Sequence, residues 1–153
     1  MSLGKQESEL YGADRMMENV EAIRSHYGHL VSEVVSQNDR ELLIAAYANF
    51  NARAIDDVLA LMHPDVDWPD GMEGGRVHGH NGLREYWARQ WSLIDPHAEP
   101  IDFRSDEDGR TTVAVHLIVR RLDGSVVVDE NVEHSYLIED GLIRWMDFGS
   151  HEV

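Results

Sequence analysis

The sequence predicts a single α+β domain in which helices come first and antiparallel strands come last. Apolar residues recur with helical spacing through most of the first 91 residues, which predicts amphipathic helices. From residue 98 onward, β-rich segments are separated by the turn signals Glu107-Asp108-Gly109, Asp123-Gly124 and Asp140-Gly141, which predict hairpins. Because helices and strands do not alternate, we expect an antiparallel sheet rather than the parallel sheet of an α/β protein.

The composition limits the classes of function that the chain can have. Its 153 residues are the size of one ordinary domain, and 42% hydrophobic with 27% charged residues is typical of a globular protein. The formal charge of −16 disfavours nucleic acids and anionic membrane surfaces as partners. The chain has no cysteine, which excludes disulfides and thiolate ligands, and it has no apolar run long enough to span a membrane. We therefore expect a soluble, cytoplasmic protein.

Residues 1–36 are predicted to form an N-terminal extension with its own amphipathic helix. Apolar side chains between residues 14 and 36 follow the i, i+3, i+4 pattern, and Asp14 is placed to cap the first turn. This helix has too many apolar residues to stand alone in water. We therefore expect it to pack on the main domain or across a dimer.

Two further helices are predicted before residue 64. The segment Ser36-Gln37-Asn38-Asp39 interrupts the first pattern and supplies new capping residues. Pro64 forbids continuation of the second helix, because its ring nitrogen cannot donate a hydrogen bond. The apolar faces consist of Leu42, Leu43, Ala46, Tyr47 and Phe50 in one helix and Ile55, Val58, Leu59 and Met62 in the other.

The pattern changes to that of strands after Pro64. We predict a short strand at residues 65–68, a glycine-rich loop at residues 70–75 and another short strand at residues 76–78. Asn81 is then expected to cap a helix, one stripe of which holds Leu83, Trp87 and Trp91.

Four longer strands complete the prediction, at residues 100–104, 111–122, 125–138 and 142–148. The middle two alternate apolar and polar side chains, so each has one dry face. On the later of these strands, that face holds Val126, Val128, Val132, His134, Tyr136 and Ile138. Helices cannot fill the concave side of a strongly curved sheet, so we expect a pocket between the two layers.

Three segments together resemble a known superfamily. They are Leu61-Met62-His63-Pro64-Asp65-Val66-Asp67-Trp68, the helix start Gly79-His80-Asn81-Gly82-Leu83, and the hairpin Glu139-Asp140-Gly141-Leu142-Ile143. With the element order, they resemble the SnoaL-like superfamily, which includes the fold of nuclear transport factor 2, ketosteroid isomerases, scytalone dehydratases and polyketide cyclases. The resemblance covers residues 37–149, followed by a tail at 150–153. It implies a cone-shaped, curved antiparallel sheet wrapped around the helices, with an internal pocket.

Two side chains are candidates for proton transfer. By the resemblance, Asp70 falls at the position of the general base in the ketosteroid isomerases, and His134 falls where those enzymes place an oxyanion-stabilising acid. From the residues themselves, we expect desolvation beside Trp68 to raise the pKa of the Asp70 carboxyl. A polar group on a dry face, such as His134, needs a partner or a ligand. The alternatives are that Asp70 merely forms a turn with Gly71 and that His134 merely bonds to a neighbour.

Five other residues are candidates for ligand binding: Tyr47, Trp68, His78, Trp87 and Tyr136. Aromatic rings supply flat apolar walls, although a helical stripe such as that of Trp87 is also typical of plain core. In the register of the resemblance, the isomerases' tyrosine falls at Ala46, and Tyr47 lies about 100° further around the helix. His78 and His80 have aspartates near them in sequence, but no third ligand is defined, so we predict no metal site.

These residues support two functional hypotheses. In the first, the protein is an isomerase, cyclase or dehydratase that needs no cofactor; Asp70 moves a proton next to a carbonyl and His134 stabilises the enolate. In the second, the same cone binds a small molecule or a protein partner without turnover, and the absence of the isomerases' tyrosine favours this. We expect a neutral, hydrophobic, ring-bearing small molecule, because an anionic protein does not steer anions toward itself. The resemblance also implies a homodimer, formed through the polar outer face of the sheet.

Overall fold

The computed structural model describes residues 35–149, which form three helices and six strands. In chain order these are helices α1 (Gln37–Asn51) and α2 (Ile55–Leu59), strands β1 (Met62–Pro69) and β2 (Arg76–His78), helix α3 (Gly79–Trp91), and strands β3 (Ile94–Ser105), β4 (Thr111–Arg121), β5 (Val126–Glu139) and β6 (Leu142–Phe148). Residues 14–34 of the predicted N-terminal helix and the predicted tail at 150–153 lie outside the described residues.

The strands form one sheet in the order β2-β1-β6-β5-β4-β3. All pairings are antiparallel except that of β1 with β6, which is parallel and was not predicted. The register shifts within the β3–β4, β4–β5 and β5–β6 pairs, and such irregularities bend a sheet. The predicted α+β class is thus confirmed, with a curved sheet that does not close.

The helix boundaries depend on local backbone chemistry. Ser36 caps α1 as predicted, since its hydroxyl accepts a hydrogen bond from the backbone N–H of Asp39 at 3.1 Å. The predicted cap at Asn81 is wrong, because α3 already begins at Gly79. Gly79 has a φ of +73°, a conformation that favours glycine, and this lets the chain turn from β2 directly into α3.

Strand β3 is longer than predicted and begins at Ile94 rather than at residue 100. It is an edge strand paired with β4, and it contains Pro96 and Pro100. A proline removes a ladder hydrogen bond only on the side where its N–H would donate, so an edge position tolerates it. The edge position therefore allows the strand to run through both prolines.

The core lies between the helices and the inner face of the sheet. The predicted dry faces of β4 and β5 are confirmed near their centres, while Val126, at the hairpin end, is 50% exposed. Within residues 35–149, no helix combines the length and the apolar character that crossing a membrane requires. The largest fully buried side chains are Trp87, Leu43, Met62, Leu83, Ile143, Val58, Val66, Val113 and Val115.

Candidate functional site

A pocket of about 250 Å³ lies between the three helices and the inner face of the sheet. Since an apolar cavity of about 150 Å³ holds benzene, this pocket has room for a larger ring system. Met72 and Phe148 line it and are 36% and 50% exposed, so they mark its mouth. The described residues that line the pocket include no aspartate or glutamate.

The structure brings five of the seven predicted site residues to this pocket and leaves two outside its lining. Tyr47, Trp68, Trp87, His134 and Tyr136 line it, whereas Asp70 and His78 do not. The His78 side chain is 70% exposed at the end of β2, with its Nδ1 3.8 Å from a carboxylate oxygen of Asp67.

Three of the lining residues form a buried hydrogen-bond chain. The Tyr136 hydroxyl donates to the Tyr47 hydroxyl oxygen at 2.7 Å, and that hydroxyl lies 2.8 Å from Nδ1 of His134. In the arrangement in which Tyr47 accepts from Tyr136, the Tyr47 proton points to Nδ1, and a neutral His134 ring would carry its own proton on Nε2. Burial raises the pKa of both tyrosines, so both hydroxyls stay protonated.

The chain brings together residues that are far apart in the sequence. Tyr47 is on α1, His134 and Tyr136 are on β5, and the rings of Tyr47 and His134 stack with centroids 6.0 Å apart. Tyr47 therefore reaches the pocket although it is one residue beyond the position that the resemblance assigns to a tyrosine. Ala46 lines the pocket as well.

The rest of the pocket wall is built from aromatic rings in mutual contact. The Trp68 ring lies 6.2 Å from Tyr136 and 5.5 Å from Trp87, in edge-to-face geometry with both. Phe50 contacts Trp87 from the α1 side at 5.6 Å. Edge-to-face pairs fix the orientation of flat walls, which suits the binding of a planar apolar molecule.

Asp70 is the predicted residue whose surroundings differ most from expectation. Its Oδ1 accepts the backbone N–H groups of Glu73 at 2.8 Å and Met72 at 3.0 Å, and its Oδ2 accepts from Arg89 at 3.2 Å. The expected rise in pKa is wrong. The hydrogen bond from Glu73 lowers the pKa of Asp70 most, helped by those from Met72 and Arg89, and together they outweigh desolvation. The carboxylate closes the turn that carries Met72 over the pocket mouth.

A second polar group in the lining was missed from the sequence. The Tyr86 hydroxyl accepts hydrogen bonds from the Gly71 backbone N–H and from Gln90 Nε2, both at 3.1 Å. Tyr86 and Gln90 are four residues apart on α3, so they lie on one face of the helix beside the tryptophan stripe. That spacing was the available signal in the sequence.

Potential metal ligands lie away from the pocket. His80 is engaged by its Nε2 with the backbone carbonyl of Met62 at 2.9 Å. Among the described residues, the group of ligand-type side chains close enough to share an ion is His63, Glu139 and Asp140, and none of these three lines the pocket.

Comparison with known proteins bears on both the fold and the pocket. A family model for the SnoaL-like domain matches residues 43–146, and no curated protein matches the chain. TerC, which was crystallised with polyporic acid, is 30% identical with a TM-score of 0.64, over 76% of this chain and 95% of TerC.

Two further solved structures have similar folds. An NTF2-like protein of unknown function from Burkholderia pseudomallei is 25% identical with a TM-score of 0.64, over 76% of this chain and 95% of that one. RV0760c from Mycobacterium tuberculosis, crystallised with estradiol-17β-hemisuccinate, is 14% identical with a TM-score of 0.63, over 74% of this chain and 93% of that one. These matches confirm the predicted resemblance and the cone-shaped fold.

Proposed function

The chain belongs to the SnoaL-like domain family, and on that premise we propose that it binds a small, hydrophobic, ring-bearing molecule in the pocket. The observation that carries this proposal is the Tyr136–Tyr47–His134 hydrogen-bond chain in an otherwise apolar, aromatic lining. The rings of such a molecule would stack on or abut Trp68 and Trp87, and its oxygen would hydrogen-bond at the imidazole of His134. Small-molecule pockets typically combine apolar walls with a few polar groups placed in this way.

The crystallisation of TerC with polyporic acid supports the proposal and supplies a probe. Isothermal titration calorimetry of the full chain with polyporic acid is expected to show saturable binding. His134→Phe should weaken it about ten-fold or more, because the substitution removes a hydrogen bond and orphans the Tyr47 proton. His116→Phe is the matched control, since His116 lies outside the pocket lining and is 41% exposed. Equal loss in both variants, or no binding to the wild type, would contradict the proposal.

We also propose a catalytic form of this function, in which the protein is a cofactor-independent isomerase, cyclase or dehydratase. The observation that favours it is the position of His134 in the pocket lining, with its Nδ1 2.8 Å from the Tyr47 hydroxyl oxygen, because an imidazole can give and take a proton near neutral pH. His134 would then give and take the proton. Asp70 would keep the role that its contacts support, which is to hold the turn at the mouth rather than to act as base.

The two roles are separable with 2-tetralone, a bicyclic ketone with exchangeable α-protons. If the pocket is catalytic, the wild type accelerates α-proton exchange in D₂O, measured by proton NMR. His134→Gln abolishes this acceleration, and Asp70→Asn retains most of it. Loss in Asp70→Asn, measured at a temperature at which that variant is still folded, would restore Asp70 as the base. If the wild type binds 2-tetralone and does not accelerate exchange, the function is binding alone.

The homodimer and the cytoplasmic location remain proposals. The outer sheet face carries the polar residues Asp129, Asn131, Glu133 and Ser135, and a second copy of the chain would pack there. Light scattering on the intact chain and on a chain lacking residues 1–36 tests both the dimer and the role of the extension. A folded monomer in both samples would overturn the dimer.

A further inference from the structure

The last turn of α3 contains buried polar atoms that the protein itself does not satisfy. Arg89 Nε, Gln90 Oε1 and Trp91 Nε1 have no hydrogen-bond partner within the described part of the chain. Buried polar atoms nearly always have a hydrogen-bond partner, so three such atoms in one turn are unusual. Of the three residues, Gln90 alone belongs to the pocket lining. Gln90 therefore borders a space that a ligand can enter.

The neighbouring Tyr86 hydroxyl has an unused hydrogen-bond donor. It accepts two hydrogen bonds, from the Gly71 N–H and from Gln90 Nε2, and no acceptor for its own proton is found among residues 35–149. Burial raises the pKa of Tyr86, so the hydroxyl keeps that proton. The Tyr86–Gln90 pair thus holds one unused donor and one unused acceptor in adjacent side chains.

We propose that the Tyr86–Gln90 pair is a second polar subsite of the pocket, which selects ligands bearing a hydroxyl group in addition to the oxygen that pairs with His134. The inference rests on the proposed binding function and names the ligand class more closely: a flat molecule with two oxygen functions. A hydroxyl matches the pair because it donates to Gln90 Oε1 and accepts from Tyr86 at once. If the Gln90 amide is turned over about its last side-chain bond, a hydroxyl still pairs with the Nε2 group.

Both polar groups border the same aromatic pocket. Trp68 contacts Tyr136 of the hydrogen-bond chain and also Trp87, and these residues line the pocket together with Tyr86 and Gln90. A planar ligand that fills the pocket is therefore surrounded by a lining that holds both polar groups. A ligand that lacks the second oxygen would leave the Tyr86–Gln90 pair buried without hydrogen-bond partners. Such a loss strongly favours the binding of ligands that carry the second oxygen over those that do not.

Three naphthalene probes test this subsite on the full chain: naphthalene, 2-naphthol and 2,6-dihydroxynaphthalene, with affinities measured by calorimetry. The wild type is expected to bind the diol about three- to ten-fold more tightly than 2-naphthol, as one added hydrogen-bonding group predicts. Gln90→Met keeps the length of the side chain and removes its amide. In this variant, the affinities for 2,6-dihydroxynaphthalene and 2-naphthol should lie within about two-fold of each other. His116→Phe serves as the control and should keep the wild-type preference.

The outcomes separate this subsite from the function on which it rests. If none of the three probes binds the wild type, the proposed function itself fails. If 2-naphthol binds but the diol gains nothing, or if Gln90→Met keeps the preference for the diol, the subsite is refuted while the binding function stands. The wild-type comparison needs no variant, so it decides the matter even if Gln90→Met does not fold.

Discussion

The substitution Tyr47→Phe tests the central feature of the pocket through protein stability. It removes a hydroxyl that accepts from Tyr136 and pairs with His134, and it leaves the aromatic ring in place. Tyr136 is 3% exposed, so water cannot readily replace the lost acceptor, and an orphaned buried donor costs about 1–3 kcal/mol. The lost hydrogen bond to His134 adds about 0.5–1.5 kcal/mol. We expect a total loss of about 2–4 kcal/mol in the free energy of unfolding.

Tyr136→Phe is the matched variant, because it removes the other hydroxyl of the same hydrogen bond. Here Tyr47 keeps its bond to His134, so the cost should be only about 0.5–1.5 kcal/mol. The double variant removes donor and acceptor together and orphans neither tyrosine. Its cost should therefore fall short of the sum of the single costs by about 1 kcal/mol or more.

Urea unfolding at pH 7, followed by the fluorescence of the four tryptophans, measures all three variants against the wild type. The comparison requires equal m-values, which show that the same surface is exposed on unfolding. Two results would refute the argument: a cost below about 1 kcal/mol for Tyr47→Phe, or single costs that add to the double cost within about 0.5 kcal/mol. Either would mean that the two hydroxyls are not coupled.

Four further predictions concern the acid and alkaline dependence of stability and two glycines. The pKa of Asp70 is lowered in the folded protein, so its ionised form stabilises the fold at pH values above the ordinary value of 3.8. Asp70→Asn should therefore lower the melting temperature at pH 7. The difference between the variant and the wild type should shrink as the pH falls below 3.8. The pKa values of Tyr47 and Tyr136 are raised, so stability should fall as the pH rises above about 10, less so in the double variant. Gly82→Ala should raise the free energy of unfolding, measured in urea, by about 0.5–1 kcal/mol. Gly82 lies in helix α3, where alanine is favoured over glycine, and the nearest atom to the new Cβ would be 3.7 Å away. Gly149→Ala should destabilise, because the new Cβ would lie 2.7 Å from a glutamate Cβ.

The sequence predicts the fold well where a feature is local and periodic. The α1 cap at Ser36, the hairpins at the Asp-Gly turns and the dry faces of β4 and β5 depend on neighbouring residues, and all are found. The parallel pairing of β1 with β6 joins residues about 80 apart, such as Met62 and Ile143, and no local signal encodes it. Strand β3 begins at Ile94 rather than at residue 100, and the edge position that tolerates Pro96 depends on the strand order of the whole sheet.

In the pocket, too, the sequence predicts single residues but not the long-range contacts between them. Tyr47, His134 and Tyr136 were each predicted to be site residues, yet their hydrogen-bond chain was not, because it joins a helix to a strand 87 residues away. Tyr47 lies one residue beyond the position that the resemblance assigns to a tyrosine, and this offset has little effect on which side chains reach the pocket. The buried face of α1 is broad enough for Ala46 and Tyr47 to line the pocket together, and a tyrosine is long enough to reach across.

Asp70 illustrates how two valid arguments from the sequence compete. Desolvation raises a carboxyl pKa, but a carboxylate at the start of a tight turn has backbone N–H donors two and three residues ahead of it. Those donors come with the turn and need no long-range contact to be in place, whereas a dry environment needs the whole fold around it. Here Met72 and Glu73 supply them, Arg89 adds a charge, and the charged form wins. For an aspartate followed by glycine, the local hydrogen bonds should therefore be weighed before any catalytic role that requires a raised pKa.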